Sequence, residues 1–360
     1  MRNLDAVPVI TGTLPAVQPL AGPATAYANP VIDRDFPDPA VIRAEDGFFY
    51  AYATQTGEPW INIQVARSAD LMSWDLLGDA LPVKPEWASR TQDFWAPAVF
   101  HADGTYYLYY SARPDVALDD PSRGLCLAVA TSQRPDGPFV DSGRPLASGA
   151  GFVNIDPCAF DDPESGRRWL YWGSGFGSIK VQELGLDRLS FAPDSEPTDL
   201  IPVIQTDDMS EYQRLVEGVW VIRRDGFYYL FYSGANCCGP DAHYAVMVAR
   251  SRWAAGPFEL RPRPHHLVVE ASDKWLAPGH NSVIRDDAGD DWLLYHAIDR
   301  QNDRLGPDHH VNSRRVLMLD KLVWNDGWPE VAGKMPSHSP QSAPVVVPLE
   351  EDLAATSALG

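Results

Sequence analysis

The sequence predicts an all-β fold, a single-domain five-bladed β-propeller. Three observations predict it. A short apolar run recurs five times at intervals of about sixty residues. Each run leads through a turn, most often Asp-Gly, into a second run rich in Tyr, Phe and Trp. Each pair is then followed by a third strand-like run and a short fourth one. Asp-Gly between two apolar runs marks a hairpin. Four strands per unit at a fixed period mark a propeller blade. The period exceeds that of common blade repeats, which implies long loops on one face.

In chain order, residues 1–28 are rich in Pro and Ala and form an N-terminal extension. Blade one takes residues 38–42, the turn Asp46-Gly47, residues 48–52 and 62–68, and an outer strand near Trp74. Blade two takes 96–100, Asp103-Gly104, 105–111, 125–132 and an outer strand near Phe139. Blade three takes 156–160, a turn between Asp161 and Gly166, 169–174, 178–184 and Phe191. Blade four takes 217–221, Asp225-Gly226, 227–233, 244–251 and Phe258. Blade five takes 280–284, a turn between Asp286 and Gly289, 292–296, 315–320 and Trp324. The propeller spans 29–336, and 337–360 read as a polar, Pro-containing tail that packs at most locally.

The repeat has a functional consequence. First strands of propeller blades line the central channel, so equivalent positions meet at one mouth. The aligned entry residues are Asp38, Ala96, Asp156, Glu217 and His280. Three carboxyls and an imidazole are thereby expected around one axis. The competing reading is that Asp-Pro and Asp-Gly pairs start turns. It accounts for Asp46-Gly47 and Asp225-Gly226 but not for Glu217, a weak turn former. Glu217 opens an apolar run, residues 215–222, that reads as a strand buried on both faces. Burial raises the pKa of an isolated carboxyl, and a carboxyl protonated near neutrality is what a general acid needs.

Composition narrows the partners. The formal net charge of −20 argues against nucleic acid and anionic membrane surfaces. No apolar run approaches the length of a membrane span. Residues 1–28 lack the basic start and apolar core of a signal peptide, so a cytoplasmic enzyme working on imported oligosaccharides is expected, or a secreted one if its N-terminus had been trimmed. Fourteen Tyr, thirteen Phe and twelve Trp suit both strand pairing and stacking on sugar rings. Trp95, with Phe94 before it, precedes the blade-two entry and should overhang the mouth, with a core position as the alternative. Arg315 opens the third run of blade five. It holds a sugar hydroxyl or one of the acids, or else makes a surface ion pair. Cys126 and Cys158 fall inside strand patterns and read as buried thiols. Cys237 and Cys238 sit in a loop directly after the second strand of the Glu217 blade, either as two thiols or as a strained ring, and form a wall of the pocket or a plain turn. No Cys or His spacing supports a zinc site.

In these motifs the sequence resembles glycoside hydrolase family 43, the five-bladed arabinases and xylosidases. The resemblance covers roughly residues 29–330. Asn29-Pro30 with Asp35-Phe36-Pro37-Asp38-Pro39 is similar to the family's opening motif, which implies that Asp38 is the general base. Phe94-Trp95-Ala96-Pro97 is similar to its blade-two motif. Asn154-Ile155-Asp156-Pro157 matches the segment whose aspartate orients the acid and tunes its pKa. Val216-Glu217-Gly218 matches the general-acid motif. Pro278-Gly279-His280-Asn281-Ser282 resembles the histidine motif, which implies that His280 faces a channel ion, often calcium, or a sugar; no cofactor is otherwise required. Arg315 matches a substrate-contacting arginine, and Asp326-Gly327-Trp328-Pro329 the closing motif. The Cys237-Cys238 pair resembles a segment of arabinan-cleaving members, whereas Asn281-Ser282 departs from the arabinanase pattern.

The resemblance and the residues together imply an inverting glycosidase. Asp38 would activate a water while Glu217 protonates the leaving oxygen, with the two carboxyls roughly 6.5–9.5 Å apart. The expected substrate is an arabinose- or xylose-containing oligosaccharide, with α-L-arabinofuranosides ahead of β-xylosides. A catalytically silent sugar-binding propeller is the remaining reading; the intact trio of Asp38, Asp156 and Glu217 speaks against it.

Overall fold

The computed structural model describes residues 25–57, 59–306 and 310–347. Most of the N-terminal extension and residues 348–360 of the tail lie outside the described residues. Five antiparallel sheets follow one another along the chain. Blade one is Ala40–Arg43, Phe49–Ala53, Gln64–Ser68 and Asp75–Asp79. Blade two is Phe94–Ala102, Thr105–Ala112 and Cys126–Ser132, with Val140–Asp141 and Ala147–Ser148 both pairing the third strand. Blade three is Cys158–Asp161, Arg168–Trp172, Ile179–Glu183 and Thr198–Ile201. Blade four is Val216–Arg224, Phe227–Asn236 and His243–Ser251, edged by Glu259–Leu260 and Leu267–Val269. Blade five is Trp275–Arg285, Asp291–Asp299, Val316–Asn325 and Trp328–Val331.

Two outer strands differ from the sequence reading. Phe191 makes only an isolated bridge to Leu184, and the fourth strand of blade three comes later. Trp324 lies inside the third strand of blade five, and the fourth follows the Asp326-Gly327 turn. Outer strands are short and half solvated, so a single aromatic is a poor marker. The turn is a better one, because Asp326 and Gly327 take φ of 51° and 73° as a tight hairpin requires.

The aromatic-rich second strands are buried on both faces, and alternation sends successive residues to opposite neighbours. In blade two, Tyr106, Leu108 and Tyr110 pack on blade one with Tyr50, Tyr52 and Val65. Tyr109 faces the other way, onto Leu170 and Trp172 of blade three. Similar apolar clusters fill the contacts of blades three and four, four and five, and five and one.

The ring closes through the N-terminal segment. Val31 N–H donates to the Leu317 carbonyl, Leu317 N–H to Ile32, and Phe36 N–H to Arg315. Asn29 bonds Leu319 twice, accepting its N–H and donating to its carbonyl. Ala26–Tyr27 pairs with Gln341–Ser342, and Val346 packs on the blade five–blade one cluster. Residues 341–347 are therefore pinned to the propeller rather than trailing from it. This clasp also fixes Arg315 at the channel mouth.

Candidate active site

Five residues at the blade entries adopt a left-handed backbone: Asp38, Ala96, Asp156, Gly218 and His280, with φ between 46° and 63°. The slot in blade four is thus Gly218, one residue beyond the aligned Glu217. Pairing confirms the shift, since Glu217 faces Ser233, Trp95 faces Ser111 and Gly279 faces His296. Glu217 is equivalent to Trp95 and Gly279, not to Asp38 and Asp156. Its side chain reaches the mouth because the strand bulges after it. Glycine at 218 relieves the φ of 63°, and an added Cβ would press on the His280 ring.

Each left-handed turn presents its N–H to the end of the preceding blade's second strand. Ala96 N–H donates to Thr54 Oγ1 (2.8 Å), Asp156 N–H to Ser111 Oγ (3.1 Å), His280 N–H to Ser233 Oγ (2.8 Å) and Asp38 N–H to His296 Nδ1 (3.1 Å). Blade three breaks the series. Gly218 N–H goes instead to Asp156 Oδ2 at 2.8 Å, and Ser174 Oγ is buried without a protein partner. Asp156 is thereby clamped to the backbone beside Glu217.

These groups line a cavity of about 360 Å³ that includes Asp38, Trp95, Asp156, Glu217, His280 and Arg315, near the small end of the ~300–1,000 Å³ range of small-molecule sites. Trp95 and Phe152 also edge an adjoining cavity of about 310 Å³. Phe176, Leu215 and Asn236 edge another of about 390 Å³. The central pocket is thus flanked on two sides by further cavities. Cys237 and Cys238 form part of its wall. Phe94 does not: it is completely buried in the blade one–blade two cluster. Strand alternation sends Trp95 to the pocket and Phe94 to the core.

The electrostatics split the carboxyls. Asp38 Oδ1 accepts from Arg315 Nη1 at 2.9 Å and Oδ2 from Thr54 Oγ1 at 2.6 Å. Burial alone would raise its pKa. The Arg315 guanidinium opposes this first, with the His280 and His296 imidazoles adding to it only when protonated, and the carboxyl is held well below the usual range. Glu217 goes the other way, to about 8, chiefly through burial and with Asp38 adding repulsion; the Tyr244 hydroxyl, donating to Oε1 at 2.9 Å, partly offsets the rise. Asp156 is raised by burial, then by the charges of Glu217 and Asp38. Two close buried carboxyls share their titration, and the pair retains a proton near neutrality.

His280 lies between the two sides, with Nδ1 3.6 Å from Asp38 Oδ1 and 3.7 Å from Asp156 Oδ2. Burial lowers its pKa and that of His296, the latter to about 4, so both are neutral. At these distances the His280 ring makes no direct hydrogen bond to either carboxylate. Among the described residues no three or more His, Cys, Asp or Glu side chains assemble to hold a metal ion. His280 therefore offers a single ring nitrogen there, and an ion at the mouth would have to take its other ligands from water. No described helix is long and apolar enough to cross a membrane.

Sequence reasoning missed Tyr244, Thr54 and His296. Each looked like a strand aromatic or a strand end. Their signal is the second-strand terminus of the repeat for Thr54 and His296; Tyr244 carries none, because its pairing with Glu217 is set by how blade four folds.

The propeller fold agrees with the family the chain matches. The profile of glycosyl hydrolases family 43 matches residues 27–329. An extracellular exo-α-(1→5)-L-arabinofuranosidase of Cellvibrio japonicus (strain Ueda107) is 27% identical over 322 residues, covering 83% of this chain and 87% of that protein. A xylan 1,3-β-xylosidase of Vibrio sp is 28% identical, covering 87% of this chain and 58% of that protein. The crystal structure of a thermostable family-43 glycoside hydrolase superposes with a TM-score of 0.70 at 28% identity, covering 89% of this chain and all of that one.

Proposed function

The chain belongs to glycosyl hydrolase family 43, and from that premise we propose that it is an inverting glycosidase acting on α-L-arabinofuranosides in short oligosaccharides. The observation that carries the mechanism is the opposite displacement of two carboxyls in one pocket. Asp38, fixed as the anion by Arg315, takes a proton from a water on one face of the sugar. Glu217, protonated near neutrality, gives its proton to the leaving oxygen on the other. A carboxylate as strongly stabilised as Asp38 is a weak base. That suits an oxocarbenium-like transition state, in which the water loses its proton late. Asp156 holds the backbone at Gly218 and keeps the acid side protonated. Trp95 and Phe176 offer apolar faces to sugar rings. Arg315 orients Asp38 and contacts substrate beside it. No step is routed through a metal ion.

The arabinofuranoside reading is supported by the arabinofuranosidase relative and by the Cys237-Cys238 pair in the pocket wall, which resembles a segment of arabinan-cleaving members. The cavities flanking the pocket on both sides support an oligosaccharide over a simple glycoside. The xylosidase relative keeps β-xylosides as the second reading. Nitrophenyl α-L-arabinofuranoside, β-D-xyloside and galactoside, assayed side by side, test the choice. Preferred turnover of the arabinofuranoside is expected. Preference for the xyloside would replace the substrate, and no turnover of any glycoside would favour a silent sugar-binding propeller.

A further inference from the structure

The reaction uses neither Cys237 nor Cys238, yet both thiols are free, half-buried and part of the pocket wall. The loop that carries them is tied at both ends. Asn236 Nδ2 donates to the Cys238 carbonyl at 3.0 Å, and Gly239 N–H to the Asn312 carbonyl at 2.9 Å. Cys237 packs on the apolar cluster of Ala242, Tyr244, Ala277 and Ile298. Adjacent in sequence, the two thiols couple in their titration. Around Cys238 stand the Cys237 thiol and the Arg315 guanidinium, which favour its anion, and Asp38, Asp35 and Glu217, which oppose it. The Cys237 thiol leads, burial opposes it, and Arg315 adds to it, so Cys238 falls to about 6 while Cys237 is pushed up. Cys126 and Cys158 are buried in strands, and burial raises both.

We infer that Cys238 is a thiol-modification site in the sugar pocket, one that captures low-molecular-weight disulfides and thereby closes the pocket to substrate. The Cys238 thiolate attacks one sulfur of a disulfide RS–SR. The Cys238–S–S–R bond forms, the RS–SR bond breaks, and RS⁻ leaves and takes a proton from solvent. The Cys238 sulfur is oxidised and half of the disulfide is reduced to thiol. Attack by the neighbouring Cys237 sulfur then expels the second RS⁻, and a reducing thiol reverses either product. A glutathionyl group on Cys238 projects into a cavity of about 360 Å³ shared with Asp38 and Glu217. The closure of the pocket, though not the reactivity, rests on the glycosidase reading above.

The test treats the native protein with glutathione disulfide and follows intact mass, peptide mass and glycosidase activity. Labelling is expected at Cys238, as a glutathionyl adduct or as its loss-of-two-hydrogens product with Cys237, with Cys126 and Cys158 untouched. Its rate should rise through pH about 6. Nucleophilicity falls along with pKa, so the gain over an ordinary thiol of pKa about 8.5 is about tenfold at pH 6 and only about twofold at pH 7. Activity should fall in step with labelling and return with dithiothreitol. L-Arabinose should slow labelling. In Cys237→Ala the pH midpoint should rise, and Cys238→Ser should keep its own starting activity under the same treatment. A midpoint near 8.5, labelling spread over the four cysteines, or full labelling with activity unchanged would overturn the inference. Labelling as described in a protein that hydrolyses no glycoside would leave the thiol site standing and remove the glycosidase reading instead.

Discussion

Glu217 shows how much of a catalytic property is set by immediate neighbours. Burial and Asp38 raise it; the Tyr244 hydroxyl lowers it. The signs give two opposed predictions. Tyr244→Phe removes a donor that favours the anion, so Glu217 should hold its proton to higher pH and the basic limb of the pH–rate profile should move up from about 8. Asp156→Asn removes the partner whose anion raises the last proton of the pair, so the basic limb should move down. Shifts of the same sign in both variants would contradict this assignment. Glu217→Gln should slow substrates with poor leaving groups by about 10²–10⁴-fold and spare activated ones. Most of these residues were legible in the sequence, because propeller repeats turn equivalent positions into neighbours. Asp38, Trp95, Asp156, Glu217, His280, Arg315 and both loop cysteines line one cavity. Phe94 was misplaced by one strand position, and Tyr244 was hidden because a tyrosine in an aromatic-rich strand resembles core.

At the scale of strands, the site depends on how blade ends meet. Gly279 lies against the ring of Tyr244, and a Cβ there would run into it. Gly279→Ala should therefore displace Tyr244, reproduce part of the Tyr244→Phe pH shift and lower activity; an unshifted profile would show that the ring has room to move. Thr54 serves two blades, accepting from Ala96 N–H and donating to Asp38. Thr54→Val leaves a buried N–H and a carboxylate oxygen short of a partner, and should cost about 1–3 kcal/mol in denaturant unfolding besides activity. Loss of activity with stability unchanged would mean that water replaces the hydroxyl. First and second strands were readable because two-sided burial writes continuous apolar runs around Asp-Gly turns. Outer strands were not, as Phe191 and Trp324 show: an edge that is half solvated needs little pattern. The offset of Glu217 by one residue is likewise a bulge, which a repeat alignment without coordinates absorbs as spacing.

For the whole molecule, ring closure and chemistry are one problem. The segment from Tyr27 to Phe36 stitches onto the third strand of blade five and onto Arg315, which precedes it, and Arg315 holds Asp38. Asn29→Ala strips Leu319 N–H of its acceptor in a buried position and should cost about 1–3 kcal/mol. If closure positions Arg315, kcat should fall as well, and a variant with lowered stability but parental kcat would separate the two. The proposed reaction is a single displacement, with Asp38 directing water to one face while Glu217 protonates the leaving group on the other. Proton NMR of the first sugar released from an arabino-oligosaccharide, recorded before mutarotation, tests this most directly. The anomer opposite to that of the cleaved bond is expected to appear first. First appearance of the same anomer would mean a covalent glycosyl-enzyme and would contradict the roles given to Asp38 and Glu217.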